Sequence, residues 1–525
     1  MAKVFENVTS RAQKVFINEA LSDFSREENR QAQADALVRV QSELGQTYPL
    51  IIGGRKIVNK RTFTSVNPSQ PDQVIGHFSR ATVEQVNQAV QVATATFEVW
   101  KHVPAEKRAG YLFAAADLLR QRRFYMNAWM IYEVGKSWVE ADADTAEAID
   151  FLEFYAREML RLAQDQPVVN IEGEQNKLVY IPLGVGAVIA PWNFPCAITV
   201  GMTSASIVAG NSVVLKPAST APTIAYQFMR ILEEVGLPSG VVNYLAGSGS
   251  EIGDALVDNP QVRYVAFTGS RDVGLRIYER ASKHQKGQRW LKRSILEMGG
   301  KDALVVDETA DLEAAANGIV AAAFSFQGQK CSAGSRAIIV EQVYDQVLQK
   351  VIEKTKQLSI GDVARPETII GPVIDESAME KILRYIEIGK GEGELVIGGG
   401  HQEPGYFIEP TIFADVKPDA IIAREEIFGP VLAIIKAHDF DEALAIANGT
   451  EYGLTGALYS YDPQRIERAE EEFHVGNLYF NRKCTGALVG VHPFGGFNMS
   501  GTDSKAGGRD YLLLFTQAKS IAAKK

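Results

Sequence analysis

Residues 185–216 read VGAVIAPWNFPCAITVGMTSASIVAGNSVVLK, and the reading of this stretch decides the fold. It falls within a run, 178–215, that has no charged residue and is long enough to suggest a membrane span. Pro182, Pro191, Pro195, Asn193 and Asn211 interrupt any single helix there. Strand, loop, helix and strand, buried in a large α/β domain, fit better. Working outward, apolar runs at 186–190, 212–215, 241–245 and 264–267 predict buried strands, with helices at 196–208, 223–235, 251–257 and 271–281. Strands alternating with helices imply βαβ units and a parallel sheet that binds ligands at its strands' carboxyl ends. A second alternation begins at 304, with strands at 304–306 and 336–340 and helices at 312–326 and 343–356. Two α/β domains are expected, joined near 297–301, where Met298-Gly299-Gly300 gives a break. Upstream, 84–155 reads as helices with Ala-rich faces and 48–58 as strand. The first forty-odd residues read as a polar, helix-prone arm outside the main domain.

The balance of residues narrows the function. Among 525 residues, 54 Lys and Arg face 64 Asp and Glu, a net charge of −10, which speaks against nucleic acid as a partner. Cys196, Cys331 and Cys484 are far apart and contain no C-x-x-C, so neither a disulfide framework nor a metal site is expected. The first thirty residues lack an apolar targeting core and carry acidic residues, so a reducing, cytoplasmic setting is expected, with no membrane partner.

Five local motifs carry chemistry. Gly247-Ser248-Gly249 with Gly253 follows a strand and opens a helix, one residue longer than the dinucleotide fingerprint. A tight turn without a ligand reads the same way. Thr268-Gly269-Ser270 also joins strand to helix; Ser270 is placed to cap that helix, and the free N–H groups suit a pyrophosphate. Cys331 sits in a small-residue loop after an Ala-rich helix, with Lys330 placed to lower its pKa. A buried structural thiol is the commoner fate of a lone cysteine. Glu297 ends an apolar strand before Gly299-Gly300, where partial desolvation makes a useful base; a hinge carboxylate in an ion pair fits equally. Asn193, fixed between two prolines, is a rigid donor for an oxyanion or simply a turn residue. The seven histidines make no paired-ligand spacing.

In this order and at these spacings, PWNFP (191–195), VVLKP (213–217), FTGS (267–270), LEMGGK (296–301), GQKCSA (328–333) and EEIFGPV (425–431) resemble the aldehyde dehydrogenase superfamily from about Tyr48 onward. The resemblance implies an α/β fold with two Rossmann-like parallel-sheet domains and a small β-flap for oligomerisation. Its divisions would be 1–165 (arm and first part of the cofactor domain), 166–184 (flap), 185–297 (cofactor domain), 298–510 (catalytic domain) and 511–525 (rest of the flap). It implies Cys331 as nucleophile, Asn193 as oxyanion donor and Glu297 as the base that hydrolyses a thioester. For the cofactor it implies Lys216 at the adenosine ribose, Trp192 and Ser270 at the pyrophosphate, and Glu426 and Phe428 at the nicotinamide. Gly247, Gly249, Thr268, Gly269 and Gly299 complete that site. NAD is expected; Ser219 stands where many members carry a glutamate that repels a 2′-phosphate, which leaves NADP open.

NRKCTGA (481–487) and PFGGFNMSGTDSK (493–505) further resemble the branch of the superfamily that acts on L-glutamate γ-semialdehyde. This implies Gly486, Ala487 and Ser332 as anchors for the substrate carboxylate, Lys330 as a nearby positive charge, Phe194 and Phe494 as aromatic walls, and Glu147 for the ammonium group. A homo-oligomer built from dimers follows from the same resemblance, as does association with a separate proline dehydrogenase. Another semialdehyde, a simple aldehyde, transfer to coenzyme A or a non-catalytic homologue are the rival readings; Glu297 argues against transfer to coenzyme A.

Overall fold

The computed structural model describes residues 8–524. Residues 1–7 of the expected arm and the last residue of the expected flap lie outside that range.

The alternation around 185–297 folds into a seven-stranded sheet. Its parallel part runs in the order Arg293–Glu297, Val262–Thr268, Val185–Ile189, Ser212–Lys216 and Val242–Tyr244. Leu50–Ile52 and Arg55–Ile57 add an antiparallel edge. Every residue of Val185–Ile189 and Ser212–Lys216 is buried, which is why these strands read as continuous apolar runs rather than alternating ones. The uncharged run resolves into the end of strand Glu174–Pro182, strand Val185–Ile189, helix Ala197–Val208 and strand Ser212–Lys216. Among the described residues, no helix is long and apolar enough to cross a membrane.

The second alternation gives another seven-stranded sheet, in the order Glu394–Ile397, Thr411–Ala414, Val431–Ala437, Gly334–Val340, Asp302–Val306, Thr455–Tyr459 and Asn477–Phe480. Only the first of these strands is antiparallel. Each sheet has its own apolar core. The chain passes from one sheet to the other between Glu297 and Asp302, through Gly299-Gly300.

A third, two-stranded unit pairs Glu174–Pro182 with Thr516–Lys524, antiparallel, from Thr516 opposite Pro182 to Lys524 opposite Glu174. All but the first two residues of Thr516–Lys524 are exposed.

One expectation fails. The polar N-terminal segment does not stand outside the main body. Helix Glu27–Glu43 packs on helix Arg123–Val134 and buries Gln33, Ala36, Leu37 and Val40. Its polar neighbours serve carboxylates of helix Trp138–Leu162: Arg11 pairs with Glu153, Asn18 Nδ2 donates to Asp150 at 2.8 Å, and the Ser22 N–H donates to Asp142 at 2.7 Å. Polarity here marks pairing with buried acids rather than solvent exposure.

Candidate active site

The carboxyl ends of the first sheet's parallel strands open onto a cavity of about 790 Å³. Trp192, Asn193, Lys216, Gly249, Thr268, Gly269, Ser270, Gly299, Cys331, Glu426 and Phe428 all line it. Residues from both α/β sheets therefore share one wall. Two expected members do not reach it. The Ser219 hydroxyl donates to the Gly247 carbonyl at 3.4 Å, and neither residue lines the cavity. Ala218 does, beside Lys216.

The wall suits an elongated anionic ligand. Lys216 is buried, and its ammonium uses one of three donors, on the Pro217 carbonyl at 3.1 Å; burial lowers its pKa to about 8. Ser270 is the N-cap residue of helix Arg271–Ser282, but its side chain makes no capping bond, contrary to expectation. The hydroxyl and the first helical N–H groups are left for a ligand. Gly299 leaves room for Glu426: a Cβ there would lie 2.3 Å from both of its carboxylate oxygens and would displace the side chain. Glu426 in turn accepts the Gly300 N–H at 3.1 Å. Trp192 and Phe428 meet edge to face, 5.5 Å between centroids.

Cys331 follows helix Leu312–Phe324 and a tight turn, Ser325–Gly328, in which Phe326 (φ 50) and Gln327 (φ 56) are both left-handed. Two such residues in succession cost roughly 1–2 kcal/mol each, so something must hold them. The Gln327 side chain donates to the carbonyls of Gly135 (3.1 Å) and Pro372 (2.8 Å), and the Gln329 side chain accepts the Ile374 N–H at 2.9 Å. Asn193 Nδ2 donates to the Gln329 carbonyl at 3.1 Å, which ties the amide to the cysteine loop.

The Cys331 pKa is not lowered, contrary to expectation. Burial, then Asp302, Glu297 and Glu426, push Cys331 well above its ordinary value. The Lys330 ammonium is spent on Glu140, at 2.7 Å. Glu297 does not line the cavity, but its charge acts on Cys331. Burial raises its carboxyl to about 8, against hydrogen bonds from Ser504 and from the backbone of Gly496 and Ser504.

None of the residues expected to hold the substrate's amino-acid end lines the large cavity. Lys330 and Ser332 adjoin Cys331 in the chain, and the rest lie on other elements. The Ser332 carbonyl accepts Cys484 Sγ at 3.4 Å, joining the nucleophile's neighbour to the 484–487 loop. In that loop Gly486 has φ +81, a conformation that favours glycine, and Arg482 donates to the carbonyls of Thr485 and Gly486 at 3.0 Å. Ala487 follows, half-buried. The Phe494 N–H donates to Ala506 at 2.8 Å.

Sequence reasoning missed the residue beneath Phe194. Lys136, fully buried, lies 4.0 Å from the Phe194 ring centroid and 4.6 Å from that of Phe326, and pairs with fully buried Asp144 at 3.0 Å. Burial and Asp144 raise the carboxyl of Glu147 to about 8, against Lys136 and Lys330. The available signal was a lysine directly after the Gly135 C-cap, followed by a helix rich in acidic residues.

Comparison with known proteins agrees with this geometry. The pattern of the aldehyde dehydrogenase family matches residues 57–521. A 1-pyrroline-5-carboxylate dehydrogenase of Geobacillus sp. (strain WCH70) is 60% identical over 506 residues, 96% of this chain and 98% of that protein. A solved 1-pyrroline-5-carboxylate dehydrogenase from Thermus with bound NAD superposes with TM-score 0.96 at 50% identity, covering 98% of this chain and 99% of that one. Proline utilization A from Bdellovibrio bacteriovorus gives TM-score 0.96 at 44% identity, over 97% of this chain but 53% of that longer one.

Proposed function

The chain belongs to the aldehyde dehydrogenase family, and we propose that it oxidises L-glutamate γ-semialdehyde, derived from 1-pyrroline-5-carboxylate, to L-glutamate with NAD, in proline catabolism. The observation that carries this reading is the 60% identity, over nearly the whole chain, to a protein named for that reaction. The cavity fits the cofactor: Lys216 and Ser270 keep uncommitted donors there, and Gly299 leaves room beside Glu426. When bound, the nicotinamide accepts the substrate's hydride.

Each residue's role is part of the proposal. As the Cys331 thiol gives its proton to water, Sγ bonds to the aldehyde carbon, and the carbonyl oxygen becomes an alkoxide. Asn193 Nδ2, held in place by its bond to the Gln329 carbonyl, donates to that oxygen. A donor of this kind is typically worth about 2.7–4 kcal/mol in the transition state. Loss of hydride leaves a thioester on Cys331. Glu297 then takes a proton from water, the hydroxide oxygen bonds to the acyl carbon, and the carbon–sulfur bond breaks to return the thiolate. Gly486, Ala487 and Ser332 hold the α-carboxylate, Phe194 and Phe494 flank the aliphatic chain, and Glu147 faces the ammonium. Lys330, paired with Glu140, adds positive charge beside the carboxylate anchor.

The exposed strand Thr516–Lys524 supports a homo-oligomer built from dimers, since a two-stranded ribbon with a free edge is marginal alone. A cytoplasmic setting and association with a separate proline dehydrogenase complete the reading. Cofactor reduction with pyrroline-5-carboxylate, beside propanal, tests it. Strong preference for the former is expected; activity with propanal alone would leave the family standing and remove the semialdehyde.

A further inference from the structure

Glu297 is held by a segment far away in the chain. The Ser504 hydroxyl donates to Glu297 Oε1, and the backbone N–H groups of Gly496 and Ser504 point to the same carboxyl. Gly495 leaves the space: a Cβ there would lie 2.9 Å from Oε1 and 2.7 Å from the Lys505 nitrogen. The segment itself is fixed. Lys505 Nζ donates to the carbonyls of Gly476 (2.7 Å) and Gly495 (2.8 Å), and both Asp503 and Lys505 have φ 51. Backbone bonds from Met298 to Ser500 (2.8 Å) and from Thr502 to Leu296 (2.9 Å) clamp it to the strand that ends in Glu297. The other oxygen differs: Glu297 Oε2 is buried and has no hydrogen-bond partner.

We propose that Ser504 is the positioning residue for the base: it occupies Oε1, so that Oε2 is the oxygen that takes the proton from the attacking water. The inference rests on the reading of Glu297 as base given above. The step balances within the site. The water O–H bond breaks towards Oε2, the oxygen bonds to the acyl carbon, and the carbon–sulfur electron pair returns to Cys331. Among the described residues, Cys331, Lys505 and Tyr511 are titratable groups that interact with this carboxyl. Of these only Lys505 favours its ionised form. The Ser504 bond therefore does much of the work of keeping an acid of pKa about 8 available as a base.

The test compares full-length wild type, S504A, S504T, S504C and E297Q with p-nitrophenyl acetate, which acylates Cys331 without cofactor. The burst reports acylation and the steady state reports deacylation, each followed from acid to alkaline pH. S504A is expected to keep the burst, to deacylate about tenfold more slowly at neutral pH, and to recover at higher pH, as a one-unit upward shift of the base requires. S504T should restore the wild-type midpoint, and S504C should fall between. If S504A does not fold, the S504C midpoint decides. A midpoint unchanged in S504A or S504C, while E297Q fails to deacylate, overturns the proposal. Normal deacylation by E297Q overturns the base reading beneath it.

Discussion

Around Cys331, the flank proposed for the cofactor is mostly backbone and open space, whereas the flank proposed for the substrate is mostly paired charge. On the first, strand ends and glycines leave about 790 Å³, with Lys216 and Ser270 keeping free donors. On the second, Lys136 is locked to Asp144 and Lys330 to Glu140, and the rings of Phe194 and Phe326 pack against the Lys136 ammonium. The first flank keeps its donors free for a ligand that arrives and leaves. The second pairs both of its lysines internally, and so presents a rigid wall to a small substrate. Changes on the first should act on binding, and changes on the second on stability and geometry together.

Cys331→Ala, which sits where the flanks meet, should have the largest effect: a loss of turnover of roughly 10⁴-fold or more, read as cofactor reduction, with cofactor affinity kept. A variant that still turns over would break the comparison at its centre. Lys136→Met should destabilise by about 3–5 kcal/mol in denaturant titration, because it strands Asp144 without its partner. Adding Asp144→Leu should restore much of that loss; a fully stable single variant would show that the pair does not lock the flank. Asn193→Ala should lower kcat about 10²–10³-fold with little change in KM. Gly299→Ala should weaken cofactor binding about tenfold, near 1.4 kcal/mol, as the new Cβ displaces Glu426, and should leave the rate of Cys331 alkylation without cofactor unchanged. Ser219→Glu should give the smallest change: a several-fold loss with NADP and none with NAD, read as the ratio of kcat/KM values.

The same contrast explains what could be read in the sequence. The cofactor flank is made of strand–turn–helix units, each contained within a few residues, so glycine spacing and apolar runs place it. Even there, Gly247 and Ser219 turn to each other instead of lining the cavity, and the Ser270 side chain does not cap its helix. The substrate flank is assembled from 136–147, 326–332 and 482–494, and no local pattern reports which charges meet. Lys330 therefore read as a neighbour able to lower the Cys331 pKa, although its ammonium bonds Glu140. Lys136 lay unnoticed in a stretch taken for ordinary helix. Ser504 drew no notice as a partner of Glu297, because 207 positions separate them. The polar N-terminal segment misled for a related reason, since its partners are the buried acids Asp142, Asp150 and Glu153.

The central claim is that the substrate is oxidised while bound to Cys331 and released by Glu297. Its most direct test is the intact mass of E297Q after mixing with NAD and pyrroline-5-carboxylate, followed by peptide mapping. The account predicts one γ-glutamyl adduct per chain, located on Cys331, together with one equivalent of reduced cofactor and little further turnover. Continuous turnover without an adduct, or an adduct on Cys196 or Cys484, would contradict it.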